Sequence, residues 1–144
     1  MVLIREMQAY DVEAASKIES EAFSMPWSAK DFLEMVEADY AYYYVAEEDG
    51  QIAGCCGIRN IAGEGEITNV VVAADFRKRG IGRMMMEYML EKAKENGIGD
   101  CTLEVRVSNQ PAIRLYESLG FKAEGVRPGF YEKPQEDALI MWKR

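Results

Sequence analysis

Val70, Val71 and Val72 form an apolar run that leads through Arg77, Lys78 and Arg79 to Gly80-Ile81-Gly82-Arg83, where apolar residues begin to recur at helical spacing. A helix starting there offers unpaired backbone N–H groups and a partial positive charge. Gly80 and Gly82 have no β-carbon to hold a ligand away from them. The four basic side chains add mobile positive charge, so strand, glycines and cations together favour a phosphate-bearing ligand. The plainer reading, a solvated turn, would be preferred for an isolated pair of glycines. Met85 stands where a dinucleotide-binding fingerprint needs its third glycine, and the lysine and hydroxyl of a P-loop are missing.

The chain has no histidine, so acid-base chemistry must use Glu, Asp, Tyr, Cys, Lys or an ordered water. Glu104 closes a strand-like segment, where a partly buried carboxylate can accept a proton directly or through water. Tyr116, on the next helical segment, carries a phenol able to donate one. Each also has a structural reading: Glu104 as the salt-bridge partner of Arg106 on the same strand face, Tyr116 as a packing partner of Phe121. Asn109 reads equally well as a helix N-cap or a ligand contact. Glu66, on an earlier strand, is a rival base ranked below Glu104.

These residues need a scaffold, and periodicity supplies one. Val2 to Glu6 reads as a strand. Asp11 is placed to cap a helix whose apolar face takes Val12, Ala15, Ile18 and Phe23. After Pro26, Ser28 and Asp31 form a capping-box pattern ahead of Phe32, Leu33 and Val36. Asp49-Gly50 joins strands Ala41 to Glu47 and Ile52 to Ile61 in a hairpin. Glu66 to Val72 is the next strand, its valine run implying burial on both faces. The helix from Gly80 to Asn96 stops at Gly97, with Met84, Met85 and Met86 expected in the core. A strand from Cys101 to Val105, a helix from Gln110 to Leu119, a strand from Phe121 and a last strand from Ala138 to Trp142 follow. The order βααβββαβαββ predicts an α/β (α+β) domain, a mixed central sheet with helices on both faces.

With 144 residues and 49% hydrophobic composition, a single domain over 1–144 is expected. The opening segment is acidic and no long apolar run occurs, so the expectation is a cytoplasmic protein with neither leader nor membrane span. Three cysteines without a CxxC pair suggest neither disulfides nor zinc, and no metal is expected. Seventeen basic and 25 acidic side chains give a net charge of −8, which argues against direct nucleic-acid binding and for a basic partner.

Arg77-Lys78-Arg79-Gly80-Ile81-Gly82 resembles the Q/R-x-x-G-x-G/A signature of the GNAT acetyltransferase superfamily. Leu103-Glu104-Val105-Arg106 through Ser108-Asn109 to Leu115-Tyr116-Glu117-Ser118-Leu119-Gly120-Phe121 is similar to the corresponding block of RimI-type N-terminal acetyltransferases. Pro26-Trp27-Ser28 and Glu136 to Met141 extend the likeness over essentially the whole chain. The resemblance implies a mostly antiparallel GNAT-like sheet and acetyl-CoA as cosubstrate. Its pyrophosphate would lie on the amides of Arg77 to Arg83, its pantetheine along Val70 to Val72, with a contact from Asn109. It also implies Glu104 as base and Tyr116 as acid. The implied acceptor is a protein N-terminus, typified by the N-terminal alanine of a small-subunit ribosomal protein, with Tyr131 a candidate to line the peptide site. An α-amine of pKa about 7.7 to 8.0 is roughly a tenth neutral at pH 7, whereas a lysine is almost wholly charged, so a glutamate has the easier task on an N-terminus. A small-molecule amine or a protein lysine as acceptor, or a non-catalytic acyl-CoA sensor, are the alternatives.

Overall fold

A computed structural model describes residues 1–144. The elements follow the expected order: β1 (Val2–Glu6), α1 (Val12–Ala22), α2 (Ala29–Glu37), β2 (Ala41–Glu48), β3 (Gln51–Ile61), β4 (Glu64–Val72), α3 (Ile81–Glu95), β5 (Cys101–Arg106), α4 (Gln110–Ser118), β6 (Lys122–Tyr131) and β7 (Glu136–Lys143). Short 3-10 turns at Ala9–Asp11 and Ala74–Phe76 precede α1 and α3.

The local signals act through the chemistry that predicted them. Asp49 and Gly50 both take positive φ, the geometry a two-residue hairpin turn demands. The Ser28 hydroxyl accepts from the Asp31 N–H at 3.1 Å while the Asp31 carboxylate accepts from the Ser28 N–H at 2.9 Å, a reciprocal cap that starts α2. Asp11 differs from expectation. Its carboxylate accepts from the Gln8 N–H at 2.7 Å and pairs with Arg5 at 2.8 Å, so it caps the preceding 3-10 turn and does not bond the first turn of α1. β7 likewise starts two residues before Ala138, at Glu136.

All seven strands join one sheet in the order β1-β2-β3-β4-β5-β7-β6, with β4 and β5 its parallel pair and every other pair antiparallel. One face packs α3 and α4 through Met85, Met86, Met89, Ile113 and Tyr116. The other packs α1 and α2 through Ala15, Ile18, Phe32 and Met35. Phe32 is fully buried, worth about 2–3 kcal/mol of transfer free energy. The valine run does meet both faces: Val71 joins the α1/α2 core, while Val70 and Val72 pack against the other. Two apolar expectations fail. Met84 points to solvent because the helical turn gives Met85 and Met86 the core-facing positions, and Phe23 lies beyond the end of α1 and is exposed.

Two irregularities position the site. The β4–β5 ladder holds only the pairs Gly65 with Cys101 and Glu66 with Thr102, so beyond them the strands diverge and the sheet splits. On the other side of β4, Gly57 faces Asn69 and Ile58 faces Ile67, leaving Thr68 as an extra residue in a β-bulge. The bulge reverses the alternation along β4: Ile67 lies in the α3/α4 core, whereas Asn69 and Val71 turn towards α1.

Candidate active site

A cavity of about 490 Å³ opens where β4 and β5 part. β4 contributes Glu66 to Val70, β5 contributes Leu103 to Arg106, and α4 with its cap contributes Tyr116 and Asn109. Its rim comes from the α1–α2 connection (Phe23, Ser24, Met25, Trp27) and the end of β6 (Phe130, Tyr131). Side chains alternate along β5, so Leu103 and Val105 face α3 and α4 while Glu104 and Arg106 face the opposite side. Glu104 and Tyr116 therefore reach one cavity from opposite faces of the sheet, which only a split sheet permits.

Burial pushes the Glu104 carboxyl above the usual range; the Arg127 charge opposes this and the Glu66 charge adds to it. Arg127 Nε lies 3.3 Å from Glu104 Oε2, yet that oxygen receives no aligned hydrogen bond and stays open as a proton acceptor. The bridge to Arg106, the structural alternative for Glu104, does not form. Arg106 has better partners in Glu136 at 3.1 Å and the carbonyls of Pro134 and Glu132, each at 2.9 Å. Glu66, the rival base, is paired with Arg59.

Tyr116 is buried and its ring packs against Phe121 at a centroid distance of 6.1 Å, so the packing reading holds alongside its place in the cavity lining. Burial raises the phenol above its ordinary value, keeping it protonated at neutral pH and fit to donate. Asn109 Oδ1 accepts from the Ala112 N–H at 3.3 Å, the N-cap reading, and the residue also lines the cavity.

The turn into α3 differs from those into α2 and α4. Gly80 sits at φ 78°, and α3 has neither a side-chain cap nor an acidic residue in its first turn, unlike α2 and α4 with their capping side chains. Its first N–H groups have no side-chain acceptor. Around it, Arg77 Nε donates to the Val72 carbonyl at 3.1 Å, Arg79 pairs with Glu48 at 2.9 Å and Arg83 donates to the Ser118 hydroxyl. Beyond Glu66 the β5-facing edge of β4 through Val70 to Val72 has no strand partner, so its backbone groups border the split.

Several residues of the site escaped the sequence reading. Tyr43 lies across Gly57, its direct partner on β3, where a β-carbon would collide with the ring. This crossing takes the phenol to Thr68 and, at 3.2 Å, to Asn69. Trp27 stacks on Tyr43 at 5.9 Å and seats the α1–α2 connection over the cavity. Arg106 also reaches Ser24 at 3.3 Å and lies 4.6 Å above the Tyr131 ring, tying both rim segments together. Glu19 was detectable: it falls on the apolar stripe of α1 with Val12 and Ala15, where a charge is out of place. No group of three or more His, Cys, Asp or Glu is placed to hold a metal ion.

The sequence profile of the acetyltransferase (GNAT) family matches residues 12–121. The [ribosomal protein bS18]-alanine N-acetyltransferase of Escherichia coli K12 is 33% identical over 143 residues, 98% of this chain and 96% of that protein. The same-named Salmonella typhimurium protein is 36% identical over 143 residues, covering 98% and 96%. The crystal structure of the ribosomal-protein-S18-alanine N-acetyltransferase from Escherichia coli superposes with a TM-score of 0.91 at 32% identity, covering 99% of this chain and 92% of that one.

Proposed function

The chain belongs to the acetyltransferase (GNAT) family and is an acetyl-CoA-dependent N-acetyltransferase, and from that premise we propose that its acceptor is the N-terminal α-amine of a protein. The N-terminal alanine of a small-subunit ribosomal protein is the first acceptor to consider, as the names of its relatives suggest. Such an acceptor places the work in the cytoplasm. The observation that carries the reading is the cavity through the split sheet, with an open carboxylate oxygen on one face and a protonated phenol on the other.

The donor side takes the Val70 to Val72 edge, the amides of Arg77 to Arg83 and the Asn109 side chain. Gly80 and Gly82 permit close approach of a pyrophosphate to the start of α3, and Arg77, Lys78, Arg79 and Arg83 supply the counter-charge. When bound, acetyl-CoA supplies the thioester that the amine attacks. Glu104 Oε2 accepts the proton the amine must lose, directly or through one water, and its raised pKa brings it closer to the amine's own. Tyr116 holds the proton that the departing sulfur takes up. On the acceptor side Phe23, Met25 and Phe130 give the rim an apolar surface for the first residues of a peptide.

Mass spectrometry of peptides incubated with acetyl-CoA tests the assignment. A peptide beginning Ala-Arg should gain one acetyl group on its α-nitrogen, and internal lysines should stay unmodified. Faster transfer to an N-terminally blocked, lysine-containing peptide or to a small amine metabolite would move the acceptor to another class while leaving the donor site as described.

A further inference from the structure

Glu66, Glu104 and Glu19 are the carboxylates lining the cavity. The first two have cations of their own, Arg59 and Arg127. Glu19 pairs with no cation. It is 4% exposed, its Oε1 accepts from Asn69 Nδ2 at 3.2 Å, and the Trp27 backbone N–H favours its charged form without an aligned hydrogen bond, so its Oε2 is buried without a partner. A buried carboxylate in that condition is costly, and a neutral side chain of the same shape would hold the Asn69 contact without the penalty. The cost is understandable if the missing cation arrives with a ligand.

We propose that Glu19 is the docking residue for the acceptor's α-ammonium, which donates an N–H to Glu19 Oε2 as the peptide enters and is thereby held beside Glu104. The inference rests on the reading of the chain as an N-terminal acetyltransferase. The ligand class follows from size and charge: the seat lies within the cavity, behind a rim of Phe23, Met25 and Trp27, and offers one anionic oxygen to a compact cation. The titratable groups facing Glu19 are Tyr43 from β2 and Cys55 from β3, beside the Asn69 amide from β4 and the Trp27 backbone. None is positive. Burial moves the Glu19 carboxyl up to about 7, so an arriving ammonium would complete its ionisation near neutral pH.

The test compares two peptides binding to the enzyme–coenzyme A complex by calorimetry: one beginning with alanine, the other with a propionyl group that replaces the α-amine by hydrogen. Wild-type protein should prefer the amine by about tenfold, the value of one charge-assisted hydrogen bond. In Glu19→Gln the preference should vanish and the KM for peptide should rise by the same factor. Turnover at saturating peptide and affinity for acetyl-CoA should hold, the pattern of lost binding common to ground and transition states. A Glu19→Gln protein that discriminates as the wild type does, while the wild type acetylates α-amines, overturns the docking role alone. A wild type that neither prefers the amine peptide nor acetylates α-amines overturns the N-terminal reading and this inference with it.

Discussion

On the proposed donor side of the split sheet, one stretch from Val70 to Arg83 offers backbone groups and four basic side chains, of which Arg77, Arg79 and Arg83 are held by protein partners. The proposed acceptor side is assembled from distant segments: Glu19 on α1, Trp27 in a connection, Glu66 and Asn69 on β4, Glu104 and Arg106 on β5, Tyr131 at the end of β6. Its groups are side chains, most held by a partner far along the chain. A site built from contiguous backbone depends on local geometry and survives most side-chain changes. A site built from remote side chains depends on packing, and one lost clamp can loosen it without touching the donor.

The strongest way to break this division is at the junction. Glu104→Gln and Tyr116→Phe should each lower kcat by about 10²- to 10⁴-fold, with acetyl-CoA affinity unchanged by calorimetry, since each keeps shape and removes a proton-transfer group. If Glu66→Gln abolished turnover while Glu104→Gln left it intact, the base would lie on β4 and the junction would need redrawing.

Next in size is a stability effect confined to the acceptor side. Burial raises the Glu19 carboxyl from 4.5 to about 7, so between those values the folded protein binds more protons than the unfolded chain. Stability from this group is fully present below pH 4.5 and falls as pH rises to about 7, by at most about 3 kcal/mol. Chemical denaturation across that range should show the decline in wild type and a flatter profile in Glu19→Gln; equal slopes would mean that solvent reaches the carboxylate.

Two further changes sharpen the contrast from either side. A β-carbon at Gly82 would sit 3.5 Å from Leu115, an ordinary contact, so Gly82→Leu should fold. Obstructing the amide approach should nevertheless weaken acetyl-CoA by about tenfold or more; unchanged affinity in a folded variant would remove the ligand from that turn. Arg106→Ala should do the reverse, raising the peptide KM by up to about tenfold through release of the rim segments while acetyl-CoA affinity holds. Loss of donor affinity in Arg106→Ala would show that the two sides are coupled.

The same contrast explains what could be read before the fold was known. The Asp49-Gly50 hairpin, the Ser28–Asp31 cap and the Gly80 turn are fixed by steric and hydrogen-bonding rules that act over a few residues. Expectations that needed long-range knowledge fared worse. Strand alternation alone puts Arg106 on the same face as Glu104 and leaves their pairing open; the fold gives Arg106 to the β6–β7 turn and sets Glu104 beside Arg127 on β6. Phe23 counted as a helical core residue by periodicity, and becomes a rim residue because α1 stops one position earlier.

Sequence alone determined the order of the elements, the uncapped glycine turn and the residue types able to move a proton without histidine, because each depends on neighbours within a turn or two. Only the tertiary structure decided that β4 and β5 part after two pairs, that Thr68 is bulged, and that Glu104 and Tyr116 line one cavity at the gap. Strand separation and register are set by what packs on both faces of a sheet at once, through contacts between residues tens of positions apart. The unpartnered Oε2 of Glu19 belongs to the same class: a buried oxygen without a partner is defined by everything that surrounds it, and no local pattern records that.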